Sequence, residues 1–209
     1  MIFSIVTIVL ISILDLISFR FGIKYALYAH VLLMMIGVAA QMRFCNDFME
    51  QLKKVHIPII ISCAVIGLMI YIADLAIKNM YFQNVIILDW KYYFSGKKVT
   101  NLSMPCSLAI AVCEEIVFRF PVSLFVEQKM IFLLIGSCAY GIVHSFFSKY
   151  DVISKTVIGL ILGVSIAVTD NIFYLMVAHA TYNVLVGFFG GSNRAAILRK
   201  SQKYQLGRI

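Results

Sequence analysis

Charge is what this chain has least of. Charged side chains make up 13% of its residues, roughly half the share in an ordinary soluble domain. Apolar residues make up 62%, against about half in soluble proteins. A soluble fold of 209 residues cannot hide that much apolar surface, and the exposed excess would aggregate. The chain also lacks internal repeats, low-complexity tracts and any stretch that reads as a linker, so residues 1–209 are expected to form a single domain. Its five cysteines, Cys45, Cys63, Cys106, Cys113 and Cys138, are odd in number and include no CxxC pair. Neither a disulfide framework nor a zinc knuckle is indicated. The first run, Met1 to Phe19, has no basic leader, carries Asp15 and is followed by no small-residue cleavage site. It reads as a retained first span and not as a cleaved signal peptide.

What is present is a series of apolar runs. Seven are long enough to consider as spans, at approximately 2–19, 25–42, 57–77, 104–125, 130–147, 153–168 and 171–190. They are continuous and do not alternate with period two, so helices are expected and not a barrel. The predicted fold is all-α, a polytopic bundle of about seven spans, or eight if residues 79–96 also cross. That stretch is aromatic at both ends but holds Asp89 and Lys91. An interfacial or re-entrant segment is the expectation there.

The net charge of +8 does not point to nucleic acid. The basic residues sit in short clusters between apolar runs and in the tail 191–209, the pattern of topology signals and lipid head-group contacts. With seven spans and a cytoplasmic C-terminus, 13 Lys and Arg fall on the cytoplasmic side. Four, Arg43, Lys53, Lys54 and Lys129, fall opposite, and Arg119 lies within a span. The expectation is a multi-pass integral membrane protein, in the cell membrane if the source is bacterial, with membrane lipids as its surroundings.

Ionisable groups inside spans cost about 2.5–3.5 kcal/mol each at the bilayer centre, so they carry the information. The fourth run contains Cys113-Glu114-Glu115-Ile116-Val117-Phe118-Arg119. Glu115 and Arg119 are four apart and can pair on one helical face. Glu114 is rotated about 100° away and left without that partner. Such a carboxylate suits a general base or acid, and equally an inter-helix polar clamp. The fifth run ends in Tyr140-Gly141-Ile142-Val143-His144, and the last contains His179-Ala180-Thr181-Tyr182-Asn183. His179 and Asn183 face the same way; an imidazole and an amide donor suit an oxyanion or a helix–helix hydrogen bond. Together, a base, two imidazoles and an amide on three helices are a set that peptide hydrolysis can use. His30 and the Gly159–Gly163 pair read as packing features, and Asp15 and Asp74 as groups near span ends or facing the bundle.

EExxxR at Glu114–Arg119, aromatic-xxx-His at Tyr140–His144 and HxxxN at His179–Asn183, in that order, resemble the CPBP family of intramembrane proteases. These are the CAAX proteases and bacteriocin-processing enzymes, also called Abi. The resemblance covers roughly residues 104–190, which would be the catalytic core. It departs at Tyr140, where the family usually has Phe, a position expected to pack. The resemblance implies that Glu114 and His144 activate a water, that His179 and Asn183 bind the oxyanion, and that Glu115 and Arg119 support them. It implies a membrane-bound or prenylated peptide as substrate, and no metal cofactor. Zinc is the less favoured choice, because the helical HExxH signature is missing. GxGD and GxSxG, marks of other intramembrane protease classes, are missing too. The other functions weighed are a non-catalytic bacteriocin-immunity or scaffold protein of the same family, and a small transporter, whose repeats or paired half-helices are not visible.

Overall fold

The structure, a computed structural model, describes residues 1–18, 23–83, 103–145 and 149–206. The described residues hold helices and no strand. The helices are α1 (Ile2–Ser18), α2 (Ile23–Gln41), α3 (Cys45–Lys53), α4 (Ile57–Gln83), α5 (Ser103–Phe118), α6 (Phe120–Leu124), α7 (Lys129–Val143), α8 (Lys149–Thr169) and α9 (Ile172–Leu206). Short 3-10 turns at Met42–Phe44 and Val126–Gln128 lead into α3 and α7. Each of the seven apolar runs is mainly helical among the described residues. Among the described residues, five helices are long and apolar enough to cross a membrane, and α1 is a shorter apolar helix. The fold is that of a helical integral membrane protein.

The fourth run is not the continuous helix expected over 104–125. It ends at Phe118, and α6 starts at Phe120 with Pro121 in its first turn. Proline has no N–H to bond the carbonyl four residues back and its ring crowds that carbonyl. The backbone turns at Arg119, and Val122 N–H bonds the Arg119 carbonyl at 2.8 Å. The last run, expected to end at 190, continues as α9 through the basic tail to Leu206. Residues 79–83 belong to α4, while 84–96 lie outside the described residues.

The packing inverts the soluble rule. Ile2, Leu32, Ile57, Met69, Ile153 and Val168 are exposed, whereas Asp15, His30, Glu114, Glu115, Arg119 and His179 are buried. Lipid tails solvate the first set, and the second set can be held only by partners inside the bundle. α5 lies at the centre, against α2, α7 and α9, with α1 closing over α2 and α7. α4 packs along α9, and α8 along α7.

The loops sort by end. Gln51 bonds Ser123 at 2.9 Å and the Ile172 N–H at 2.8 Å, and Lys129 reaches Asp170 at 2.7 Å. These contacts gather the α3, α6–α7 and α8–α9 connections at one end. At the other end Lys78 meets Asp151 at 3.4 Å, and Tyr182 bonds Asp74 at 2.8 Å. Lys53, Lys54 and Lys129 thus stand opposite Lys78 and Lys155, the separation that the count of seven spans requires.

Glycines set the closest approaches. A Cβ on Gly136 of α7 would press on the Phe118 carbonyl oxygen of α5, which is backbone and cannot step aside. On Gly163 of α8 it would meet the Leu133 side chain at 3.1 Å, and on Gly159 the Ser137 Cα at 3.1 Å. The Gly159–Gly163 pair is therefore a packing face, as expected. Gly136→Ala should destabilise the fold by about 1–3 kcal/mol through overpacking. Gly163→Ala should cost less, since a leucine can give way. Thermal unfolding in detergent micelles checks the order; equal melting points would contradict it.

Candidate active site

Two consecutive carboxylates on α5 point to different neighbours, because each residue turns a helix by about 100°. Glu115 is fully buried, and its Oε1 accepts from Arg119 Nη1 at 3.1 Å. The same oxygen lies 2.7 Å from His179 Nδ1 on α9. A carboxylate only accepts, so His179 carries its proton on Nδ1. The Arg119 guanidinium also stacks over the Tyr140 ring, 3.9 Å from its centroid. One knot therefore ties α5 to α7 and α9.

Glu114, 3% exposed, faces three imidazole edges. His30 Nε2 of α2 lies 3.5 Å from Oε1, His144 Nε2 3.8 Å from the same oxygen, and His179 Nε2 3.7 Å from Oε2. His144 follows the last residue of α7, and its Nδ1 lies 2.8 Å from the Tyr140 carbonyl. That nitrogen must donate, which leaves Nε2 as the basic edge toward Glu114 in the neutral ring. Glu114, His30 and His179 are buried and His144 is only partly so, which opens the cluster toward the end where α7 stops.

Residues 97–185 match the family model described as Type II CAAX prenyl endopeptidase Rce1-like. That segment is similar to the Rce1-like family. No curated protein and no solved structure matches the chain. The family is one of CAAX-type proteases, so the matched segment is peptidase-like. It contains Glu114, Glu115, Arg119, Tyr140, His144, His179 and Asn183.

Within the Rce1-like segment, the structure gathers Glu114, His144 and His179 as the sequence suggested, with Glu115 and Arg119 beside them. Asn183 stands apart. One turn beyond His179, its amide donates to the Ser107 carbonyl of α5 at 3.3 Å, two turns before Glu114. Tyr140 does more than pack: its hydroxyl lies 3.2 Å from His179 Nε2. With the His179 proton on Nδ1, the hydroxyl is the donor there. Tyr140 packs as expected, and its hydroxyl adds a bond that Phe could not make.

Two participants come from outside the Rce1-like segment. Asp15 Oδ2 of α1 lies 2.8 Å from His30 Nδ1, and His30 in turn faces Glu114. The sequence suggests only packing for His30, since no spacing links residue 30 to residue 114. The signal in the sequence is Asp15 itself, an acid within the first apolar run. A separate polar cluster surrounds half-buried Asp74. Its carboxylate accepts from Tyr182 at 2.8 Å, from Tyr150 at 3.3 Å and from Ser154. Lys155 Nζ donates to the Tyr182 hydroxyl at 2.6 Å. Asp74 thus faces the bundle, as expected.

Among the described residues, no group of three or more His, Cys, Asp or Glu is arranged to hold a metal ion. Two of the imidazoles around Glu114 have Nδ1 engaged with carboxylates and the third with a carbonyl. The described cysteines are all free thiols, and Cys63 is buried.

Removing one partner of a buried ion pair leaves an uncompensated charge, at about 3–5 kcal/mol. Arg119→Ala should therefore destabilise the protein by that amount in a detergent melt. Glu115→Gln, which leaves the buried guanidinium without its counter-charge, should also destabilise the protein. An Arg119→Ala protein that melts like wild type would show that the pair carries no weight in the fold.

Proposed function

We propose that the protein is an intramembrane endopeptidase of the CAAX-protease type, cleaving a membrane-bound or lipidated peptide by water that Glu114 and His144 activate together. The observation that carries this reading is the gap of 3.8 Å between His144 Nε2 and Glu114 Oε1. It is too long for a direct hydrogen bond and suits a water bridging the two. The carboxylate and the basic imidazole edge can then draw a proton from that water as it attacks a peptide carbonyl. His144 passes the proton to the leaving amine, and the bond between carbonyl carbon and nitrogen breaks.

The negative oxygen formed in the attack needs donors. Neutral His179 with its proton on Nδ1 has only a lone pair at Nε2, so it serves as a donor when it gains a second proton. The Tyr140 hydroxyl, already at that nitrogen, is the nearest neutral donor. Asn183 joins them by releasing the Ser107 carbonyl. Glu115 and Arg119 hold His179 in its tautomer and place. The reaction is proposed without a metal.

The site is reached from the end that carries Lys78 and Lys155. The positive-inside rule makes that end cytoplasmic, in a cell membrane if the source is bacterial. The substrate would be cut near that leaflet.

Purified protein in proteoliposomes should cleave one of two fluorogenic peptides, carrying a farnesylated cysteine near the C-terminus or the same cysteine unmodified. Glu114→Gln and His144→Ala should each lower kcat by about a hundredfold or more at unchanged expression. If wild type cleaves neither peptide, the protein is a binding or immunity protein and not a peptidase; if it cleaves and both variants stay active, Glu114 and His144 are not the groups that activate the water. Tyr140→Phe should lose about tenfold in kcat, the worth of one neutral oxyanion hydrogen bond of roughly 1.4 kcal/mol; full activity would remove the hydroxyl from the oxyanion site. A chelator that abolishes cleavage, reversed by added zinc, would overturn the metal-free route.

A further inference from the structure

The Asp15–His30 pair lies on the first two helices, outside the Rce1-like segment, and its geometry is that of a working pair. Asp15 is 1% exposed and His30 5%. Two charged-type side chains that deep in an apolar bundle are retained at a cost unless they hold something. Asp15 sits three residues from the end of α1 and reaches across to α2, with Oδ2 2.8 Å from His30 Nδ1. That bond dictates the tautomer: the proton on Nδ1 belongs to the bond with Asp15. The other nitrogen, Nε2, then faces Glu114 Oε1 at 3.5 Å. A bare Nε2 opposite a bare carboxylate oxygen would set two lone pairs against each other in low dielectric. A proton on the line between them turns that repulsion into a hydrogen bond.

We propose that His30, oriented by Asp15, is a positioning residue for Glu114: it holds Oε1 through a shared proton and keeps the carboxylate aimed at the water beside His144. This inference rests on the peptidase reading above. The arrangement gives Glu114 an imidazole neighbour from each of three helical segments. α2 supplies His30, backed by Asp15 of α1. His144, just past α7, and His179 of α9 face it from the other sides, and Tyr140, Glu115 and Arg119 hold His179. Without His30 the carboxylate keeps its charge and neighbours but loses its contact on the α2 side. It can then rotate away from the bridging position. The effect belongs to the chemical step and not to substrate capture, because His30 lies behind Glu114, on α2, and is closed off by α1.

The test is a kinetic series in proteoliposomes, with whichever of the two fluorogenic peptides wild type cleaves. His30→Leu should lower kcat by about 10- to 100-fold, the usual loss when the partner orienting an active group is removed, with KM within about twofold. His30→Gln places an amide N–H near the position of Nε2 and should recover most of kcat. Asp15→Asn should fall between these. His30→Leu leaves Asp15 buried without its partner, so the double variant Asp15→Asn/His30→Leu removes the whole pair and should match His30→Leu in kcat. Melting temperatures in detergent monitor folding throughout.

Three results would overturn the proposal. One is wild-type kcat in the folded double variant, and another is equal kcat for His30→Gln and His30→Leu. The third is a loss confined to KM or to melting temperature. If Glu114→Gln itself stays active, Glu114 does not activate the water and the reading on which this inference rests has failed. If Glu114→Gln is dead while His30→Leu is fully active, only this one has failed.

Discussion

The rest of the structure depends on one oxygen, Oε1 of Glu115, which receives both the Arg119 guanidinium and the His179 imidazole. Three polar groups in an apolar bundle cost several kcal/mol to bury singly. Brought together, each satisfies part of the others. The contact also has geometric consequences. It fixes the rotation of α5 about its axis, and so the direction in which the next carboxylate toward the N-terminus, Glu114, must point. It fixes the His179 ring and tautomer, so that Nε2, without a proton in the neutral ring, faces Glu114 and Tyr140.

The same constraint explains the break in the fourth helix. Arg119 lies at the end of α5, where Pro121 prevents the helix from continuing. The turn lets the long side chain fold back over the Tyr140 ring. Close passage of α7 past this point requires Gly136, whose missing Cβ makes room for the Phe118 carbonyl. Arginine, proline and glycine at these positions solve one packing problem: crossing two helices beside a buried cation.

Much of this was legible early. Apolar runs separated by Lys and Arg revealed a helical membrane bundle, because a run long enough to cross lipid has few other uses. Glu114, His144 and His179 stood out because ionisable groups are rare in such runs. Three things were not legible. His30 and Asp15 come from helices joined to the site only by packing, and a lone histidine in an apolar run carries no sign of what it faces. Tyr140 was judged by its ring, while the hydroxyl matters because of where His179 sits. Asn183 was placed beside His179 by helical spacing, yet a shared face spans a full turn, and its amide found the Ser107 carbonyl instead.

Composition and periodicity by themselves determined the solvent, the helical class and which residues are costly to bury. Those properties are local, since transfer into lipid is paid residue by residue along the chain. Only the tertiary structure decided which costly residues share their burden: Glu115 with Arg119 and His179, and Asp15 with His30 and Glu114. Hydrogen bonds act over about 3 Å, and a sequence records no distance between helices, so those partnerships exist only once the bundle has closed.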